Sequence, residues 1–339
     1  MDQLNQRAYR ELWGQLNERL EAIRALSGLE AALRTLMQDQ VQSGFIQDEL
    51  AEIIRYRFPC PFEPQRCFTA QFNPARARRF DGAGRNPSNP PAYSVHDSCF
   101  LCADNIRWQH QGAEVGYELP FANGRYTAWM NPFPLLPCHT VFASREHVPQ
   151  HWKSAGAPDL DELVADLTEM AQALPGWIGF YNGIGAGASI PHHLHFHFMP
   201  RAEGYEEMPL EAAARQRPGA ECVDSLYPLT FLHWRGTRPE VIGQMQNWLN
   251  HWLQGSGAQD DATANIIACN RGDRDLLDLY FIPRHQRRSR AEGLRGVLGS
   301  FEAMGEIVCS TADERLRLDS GEVDYPAIAA MLRQVSVAL

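Results

Sequence analysis

The segment Pro191-His-His-Leu-His-Phe-His-Phe-Met-Pro200 decides how the chain is read. A β-strand turns successive side chains to opposite faces. His193, His195 and His197 therefore share one face, while Leu194, Phe196 and Phe198 share the other and call for a core beneath them. Only twelve histidines occur in 339 residues, so three at strand period point to a site. The competing reading is a buried polar ladder or a purely structural metal site. Free imidazole titrates near pH 6.5 and is nucleophilic when neutral. Attack by the middle imidazole on an α-phosphorus would give a covalent phosphoramidate and split one hard displacement into two easier ones. Its neighbours on the same face could fix its tautomer.

Working outward, Tyr181-Asn-Gly-Ile-Gly-Ala-Gly-Ala-Ser189 precedes the ladder. A glycine-rich turn presents backbone N–H groups, and a serine hydroxyl adds a donor, so the loop suits a phosphate. Glycines also serve any tight turn. Trp177 to Asn182 and Leu194 to Met199 read as strands, as do Arg125 to Met130 and Thr140 to Ser144, joined through Asn131-Pro-Phe-Pro134. Leu160 to Leu174 reads as a helix, capped by Asp159 and stopped by Pro175-Gly176. Residues 4 to 26 form an amphipathic helix, and a second helical stretch runs to about Tyr56. Residues 81 to 92 read as a loop by composition. Beyond the ladder, Val241 to Leu253 carry a helical apolar stripe stopped by Gly255. Strands follow at Asn265 to Cys269 and Leu276 to Ile282, then helices over 290 to 308 and 325 to 338. The strand pair ending in Pro283-Arg284-His285 echoes the pair ending in Arg145-Glu146-His147, the trace of a decayed internal duplication.

His193-Leu-His-Phe-His-Phe-Met199 resembles the histidine-triad signature. Gly187-Ala-Ser189 followed by Pro191, with Asn131-Pro-Phe-Pro134 and Ser144-Arg-Glu-His147, resembles the galactose-1-phosphate uridylyltransferase branch. Phe72-Asn-Pro-Ala-Arg76, Cys99-Phe-Leu-Cys102-Ala-Asp-Asn105 and Tyr181-Asn-Gly183 look like a bacterial group of unassigned function, itself similar to diadenosine tetraphosphate phosphorylase and GDP-sugar phosphorylases. The resemblance covers residues 68 to 201 and fades beyond 220. It implies an α+β fold: a histidine-triad-like antiparallel sheet with flanking helices, in two related halves if the echo holds. It implies His195 as nucleophile and Ser189 as a phosphate contact. His197 is a departure, because the transferase branch usually has glutamine there and the hydrolase branch histidine. The acceptor is then phosphate, a sugar phosphate or water.

Cys99-Phe-Leu-Cys102 alone reads as a metal half-site, a redox pair or two thiols without special role. The resemblance supplies His147 and His193 as the remaining ligands of a zinc ion. Asn131 reads as a ribose or phosphate contact or as a turn-stabilising residue. Arg76, Arg78 and Arg79 suit phosphate oxygens or form a solvated loop. Arg284 is placed to reach substrate from the second half, against a surface reading. Tyr181 and Asn182 line a base pocket or simply pack, and Gly187 belongs to the phosphate loop. His192 is a ligand or a neighbour.

Apolar residues make up 44% and charged residues 21%, the balance of a globular chain, and the formal charge is -10. That charge argues against general nucleic-acid binding, which needs a cationic face. No apolar run reaches the roughly 18 residues of a membrane span. Without a secretory leader, the eight cysteines read as thiols or ligands in the cytoplasm. The expected organisation is a helical segment over 1–57, a catalytic unit over 58–215 and a degenerate second half over 216–339. The leading activity is a nucleotidyltransferase or phosphorylase. It acts on a nucleoside diphosphate sugar or dinucleoside polyphosphate, with phosphate or sugar phosphate as acceptor and a homodimer as the common assembly. The alternatives are a histidine-triad hydrolase and a non-catalytic, zinc-stabilised nucleotide-binding module.

Overall fold

In the computed structural model, residues 3–47, 50–80, 94–110, 112–201, 205–215, 227–272, 275–291 and 297–338 are described. The loop expected over 81–92 lies outside them. The chain runs α1 (Gln3–Ser27), α2 (Leu29–Gln42), β1 (Ile54–Pro59), β2 (Cys67–Phe72), α3 (Ala103–Gln109), β3 (Tyr117–Glu118), β4 (Tyr126–Met130), β5 (Thr140–Ser144), α4 (Leu160–Gln172), β6 (Trp177–Asn182) and β7 (His195–Pro200). It continues through α5 (Pro209–Arg215), β8 (Leu232–Thr237), α6 (Arg238–Gln254), β9 (Ala262–Asn270), β10 (Leu276–His285), α7 (Ser300–Ala303), β11 (Glu306–Cys309), α8 (Ala312–Asp319) and α9 (Tyr325–Val335).

Eight strands form one antiparallel sheet in the order β3-β4-β5-β7-β6-β9-β10-β8, and β1-β2-β11 form a smaller mixed sheet. Helix α4 starts where expected: Asp159 accepts from the Glu162 N–H, and the Glu162 carboxylate reaches back to the Asp159 N–H. Such a reciprocal cap satisfies two donors that the first helical turn leaves orphaned. The period-2 pattern of β7 is realised. Leu194, Phe196 and Phe198 enter a core with Leu163, Leu167 and Met170 of α4 and Val241 and Met245 of α6. The opposite sheet face, including Ile178, Phe180, Met199, Ile267 and Tyr280, packs against the C-terminal elements and the smaller sheet.

The strand order has an internal symmetry. Strands β5-β7-β6 on one side match β8-β10-β9 on the other, with α4 inserted between β5 and β6 and α6 between β8 and β9. The halves meet where β6 pairs β9, from Ile178 opposite Cys269 to Asn182 opposite Asn265. One continuous sheet runs through both halves.

Several expectations need correction. The second helical stretch ends at Gln42, and Ile54–Pro59 is a strand in which Ile54, Tyr56 and Phe58 alternate with arginines, the strand period. Residues 67–72 and 232–237 are also strands. Over 290–308 the helix expectation fails: the described part holds only the short α7 and then β11, because Glu306–Cys309 adds to β2 in parallel.

Candidate active site

The histidine strand lies beside β5, with His195 opposite Ala143 and His197 opposite Val141. Gln150 fastens its first residue. The Gln150 side chain accepts from the His195 N–H at 2.7 Å and donates to the His195 carbonyl at 2.8 Å and the Asn182 carbonyl at 2.9 Å. One amide thus ties the start of β7 to the end of β6.

His195 is 2% exposed. Its Nδ1 lies 2.7 Å from the His193 carbonyl, an acceptor, so Nδ1 carries the proton and Nε2 keeps its lone pair. Burial pushes its pKa down to about 4, so the ring is neutral near pH 7. His197 is ordered through His139. The Leu135 N–H donates to His139 Nδ1 at 3.1 Å, which leaves the proton of neutral His139 on Nε2. That Nε2 lies 3.0 Å from His197 Nδ1. His197 Nδ1 is therefore the acceptor, and His197 carries its proton on Nε2. Burial holds both rings well below the ordinary histidine range, so neither proton is supplied by ring ionisation. Sequence reasoning passed over His139 and Gln150, since a single His or Gln on an apolar strand or loop carries no periodic signal.

Cys99, Cys102, His147 and His193 converge, with their ligating atoms all within 4.8 Å of one another. His193 Nδ1 lies 3.4 Å from Cys99 Sγ and 3.5 Å from Cys102 Sγ, and His147 Nδ1 lies 3.3 Å from Cys102 Sγ. A tetrahedral zinc with bonds near 2.3 Å to sulfur and 2.05 Å to nitrogen has S···N edges of roughly 3.6 Å. The three S···N separations above fit that figure. His193 Nε2–H donates to the Ser144 carbonyl at 2.7 Å, which points the Nδ1 lone pair at the thiols, the orientation an outer-sphere partner gives a metal ligand. His96 stacks flat on His147 at 4.1 Å. The Asn105 side chain donates to the carbonyls of Val95 and Cys99 and accepts from the Val95 N–H, knitting the cysteine loop to α3.

His195 and His197 open onto a cavity of about 240 Å³ with Ser189, Asn131 and Arg76 in its wall. Arg76 also donates to the Phe133 carbonyl. Asn131 does what its turn reading requires, accepting from the Phe133 N–H at 2.8 Å, and still faces the cavity. Ser189 is exposed at the loop end, and His192 is exposed beside it.

Other expected residues stand behind the wall. Tyr181 is fully buried, with its hydroxyl donating to the Gln150 carbonyl, so it packs and does not line the cavity. Asn182 accepts from the Ser300 N–H and from the Asn265 amide. Arg284 is 1% exposed and donates to Asn265 Oδ1 and the Leu298 carbonyl; it braces the second half and is absent from the cavity wall. Gly187 has φ +106, and a Cβ there would meet the Gly299 Cα at 2.3 Å, so the glycine permits a close backbone crossing. Arg78 and Arg79 lie in a short helical turn.

Comparison with known proteins adds the following. Residues 49–200 match the family model of a domain of unknown function, DUF4922. No curated protein sequence matches significantly. The fold is similar to that of yeast Ap4A phosphorylase Apa2 in three crystal structures: without a named ligand (16% identity, 90% of this chain and 94% of that one, TM-score 0.55), with Ap4A (15%, 90% and 97%, 0.57) and with AMP (17%, 90% and 96%, 0.54). At such identities the likeness establishes the fold, a histidine-triad-like α+β architecture over most of both chains.

Proposed function

We propose that the protein is a nucleotidyltransferase that forms a nucleotidyl-His195 intermediate and hands the nucleotide to phosphate or a sugar phosphate. The observation that carries this is the fixed tautomer of a neutral, buried His195, whose unprotonated Nε2 belongs to the ring that lines the cavity. Nε2 attacks the α-phosphorus of a nucleoside diphosphate sugar or dinucleoside polyphosphate. The N–P bond forms as the bond to the bridging oxygen breaks, and the leaving phosphate keeps that electron pair. The substituted ring retains its Nδ1 proton and becomes cationic, and the His193 carbonyl dipole opposes that charge. A phosphate oxygen then attacks phosphorus, the P–N bond breaks, and neutral His195 returns.

The remaining residues have supporting roles. Ser189 and the loop amides donate to the phosphoryl oxygens as charge shifts. His197 donates through Nε2–H as a neutral group, the part a glutamine amide plays. Cys99, Cys102, His147 and His193 would hold zinc, which supplies a rigid tetrahedral anchor for the loop and for the carbonyl that orients His195. Residues 58–215 carry the chemistry, and 216–339 form the degenerate half that backs it. The fold shared with a yeast enzyme that phosphorolyses Ap4A supports this reading.

Transfer to water is the second reading, favoured by histidine rather than glutamine at position 197. The His139 bond weighs against it, because a neutral ring whose only lone pair already accepts from His139 offers water no base.

The test is intact-protein mass spectrometry near neutral pH after mixing with UDP-glucose, GDP-mannose, ADP-glucose or diadenosine tetraphosphate. A gain of one nucleoside monophosphate, absent in His195→Ala, is expected. Neither adduct nor product from any nucleotide would leave a binding module. Nucleoside diphosphate formed only with phosphate marks a phosphorylase, and monophosphate regardless of phosphate marks a hydrolase.

A further inference from the structure

The cavity that holds His195 and His197 also holds an acid. Glu114 lines it together with His110, Phe45, Phe100 and Trp129. The Glu114 residue is 3% exposed, and its one ion-pair partner among the described residues is His110, whose Nδ1 lies 2.5 Å from Glu114 Oε2. Burying a carboxylate among aromatic rings is costly unless it has donors to accept from. Phosphate cannot be that partner, since like charges repel. The match is a part of the ligand that is flat, neutral and rich in N–H groups. Phe45, tilted by 40° against the His110 ring with centroids 4.8 Å apart, and Trp129 supply aromatic surface for such a group.

The protonation state of the pair leaves little choice of ligand. Whether the shared proton sits on His110 or on Glu114, it lies between them, so the rest of the carboxyl remains an acceptor. Guanine alone among the common bases places two donors side by side, N1–H and the N2 amino group. Adenine and cytosine put a ring acceptor next to their amino group, and uracil flanks its single N–H with two carbonyls. We propose that this cavity is a guanine subsite, in which the Glu114 carboxylate accepts the paired N–H groups of the base and His110 holds that carboxylate in place. The proposal rests on the nucleotide reading above and adds the identity of the base.

It is tested by equilibrium binding of GMP, IMP, AMP, UMP and 2′-deoxy-GMP to the full-length protein and to His195→Ala. GMP is expected to bind about 10-fold or more tightly than AMP or UMP, the scale of one bidentate base contact. IMP, which keeps N1–H and lacks the amino group, should fall between them. Glu114→Gln should erase most of this order. The wild-type series of GMP against IMP needs no variant and stands even if Glu114→Gln folds poorly. Equal affinity across the bases, or an order unchanged in Glu114→Gln, overturns the assignment. So does a loss with 2′-deoxy-GMP as large as that with AMP, which would put the carboxylate on the ribose. Adduct formation with every base alike would refute the guanine subsite and leave the nucleotidyl-histidine reading intact, whereas failure of all nucleotides to bind or react would sink both.

Discussion

Tautomers are set one hydrogen bond at a time, and here two backbone contacts and one between rings decide what the imidazoles can do. Leu135 N–H to His139, His139 to His197, and His195 to the His193 carbonyl leave one ring with a free lone pair and its neighbour with a free proton. Replacing His139 by leucine keeps the cavity wall but lets His197 take either tautomer. The expected result is a fall of about 10- to 100-fold in kcat with little change in KM, below the 10²–10³ typical when a transition-state donor is removed outright. His139→Gln, which retains an N–H for His197, should recover much of it; equal loss in both variants would mean His139 only fills space. Protonation disables the nucleophile, so activity should be lost as pH falls through the folded value near 4 rather than through 6.5. Single-turnover adduct yield between pH 4 and 8 measures this.

At the scale of elements, the cysteine loop and α3 form a lid over the start of β7, joined to it by the Cys99, Cys102, His147 and His193 cluster. Purified protein is expected to carry about one zinc per chain. Cys102→Ser should lose it, melt at lower temperature and form adduct poorly, because the His193 carbonyl is no longer held against His195. Full zinc occupancy in that variant would contradict the ligand set. The strands around this lid were readable beforehand because both their periods and their bounding turns were strong: Trp177–Asn182 matches to the residue, and Thr140–Ser144 likewise. The lid's inner partners were not. His139 and Glu114 are isolated polar residues whose meaning comes from groups 58 and four positions away. Strand β1 did announce itself by alternation, but the helical period before it carried the reading too far. Strand β11 has four residues and exists because β2 offers it an edge.

Across the whole molecule, the lateral row Trp129, Val141, His197, Phe180, Ile267, Tyr280 and His233 runs through paired positions from one end of the sheet to the other. One end holds the histidine cavity. The other borders a larger cavity of about 650 Å³, where His233 is tied to Asp278 at 2.7 Å. The symmetry of the sheet sets β10 against β7, whereas the faint echo in the sequence sets β10 against β5, so the echo is not what the strand order repeats. Three imidazoles also leave a thermodynamic mark. His139, His195 and His197 are depressed in the folded chain and ordinary in the unfolded one, so below about pH 6.5 the unfolded state binds protons that the folded state refuses. Their contribution to stability therefore declines as pH drops, by up to about 1.4 kcal/mol per histidine per pH unit. Denaturant midpoints at pH 7.5 and 5.5 should show a steeper acid-side loss in wild type than in His197→Gln, and parallel losses would refute it.

The glycine crossing has a consequence for how such a molecule can evolve. Gly185 and Gly187 press against Gln286 and Gly299, so the glycine loop is cast against a surface made by the C-terminal part of the chain. Selection would punish any added methyl group at the crossing, so the two stretches of backbone that meet there must change together.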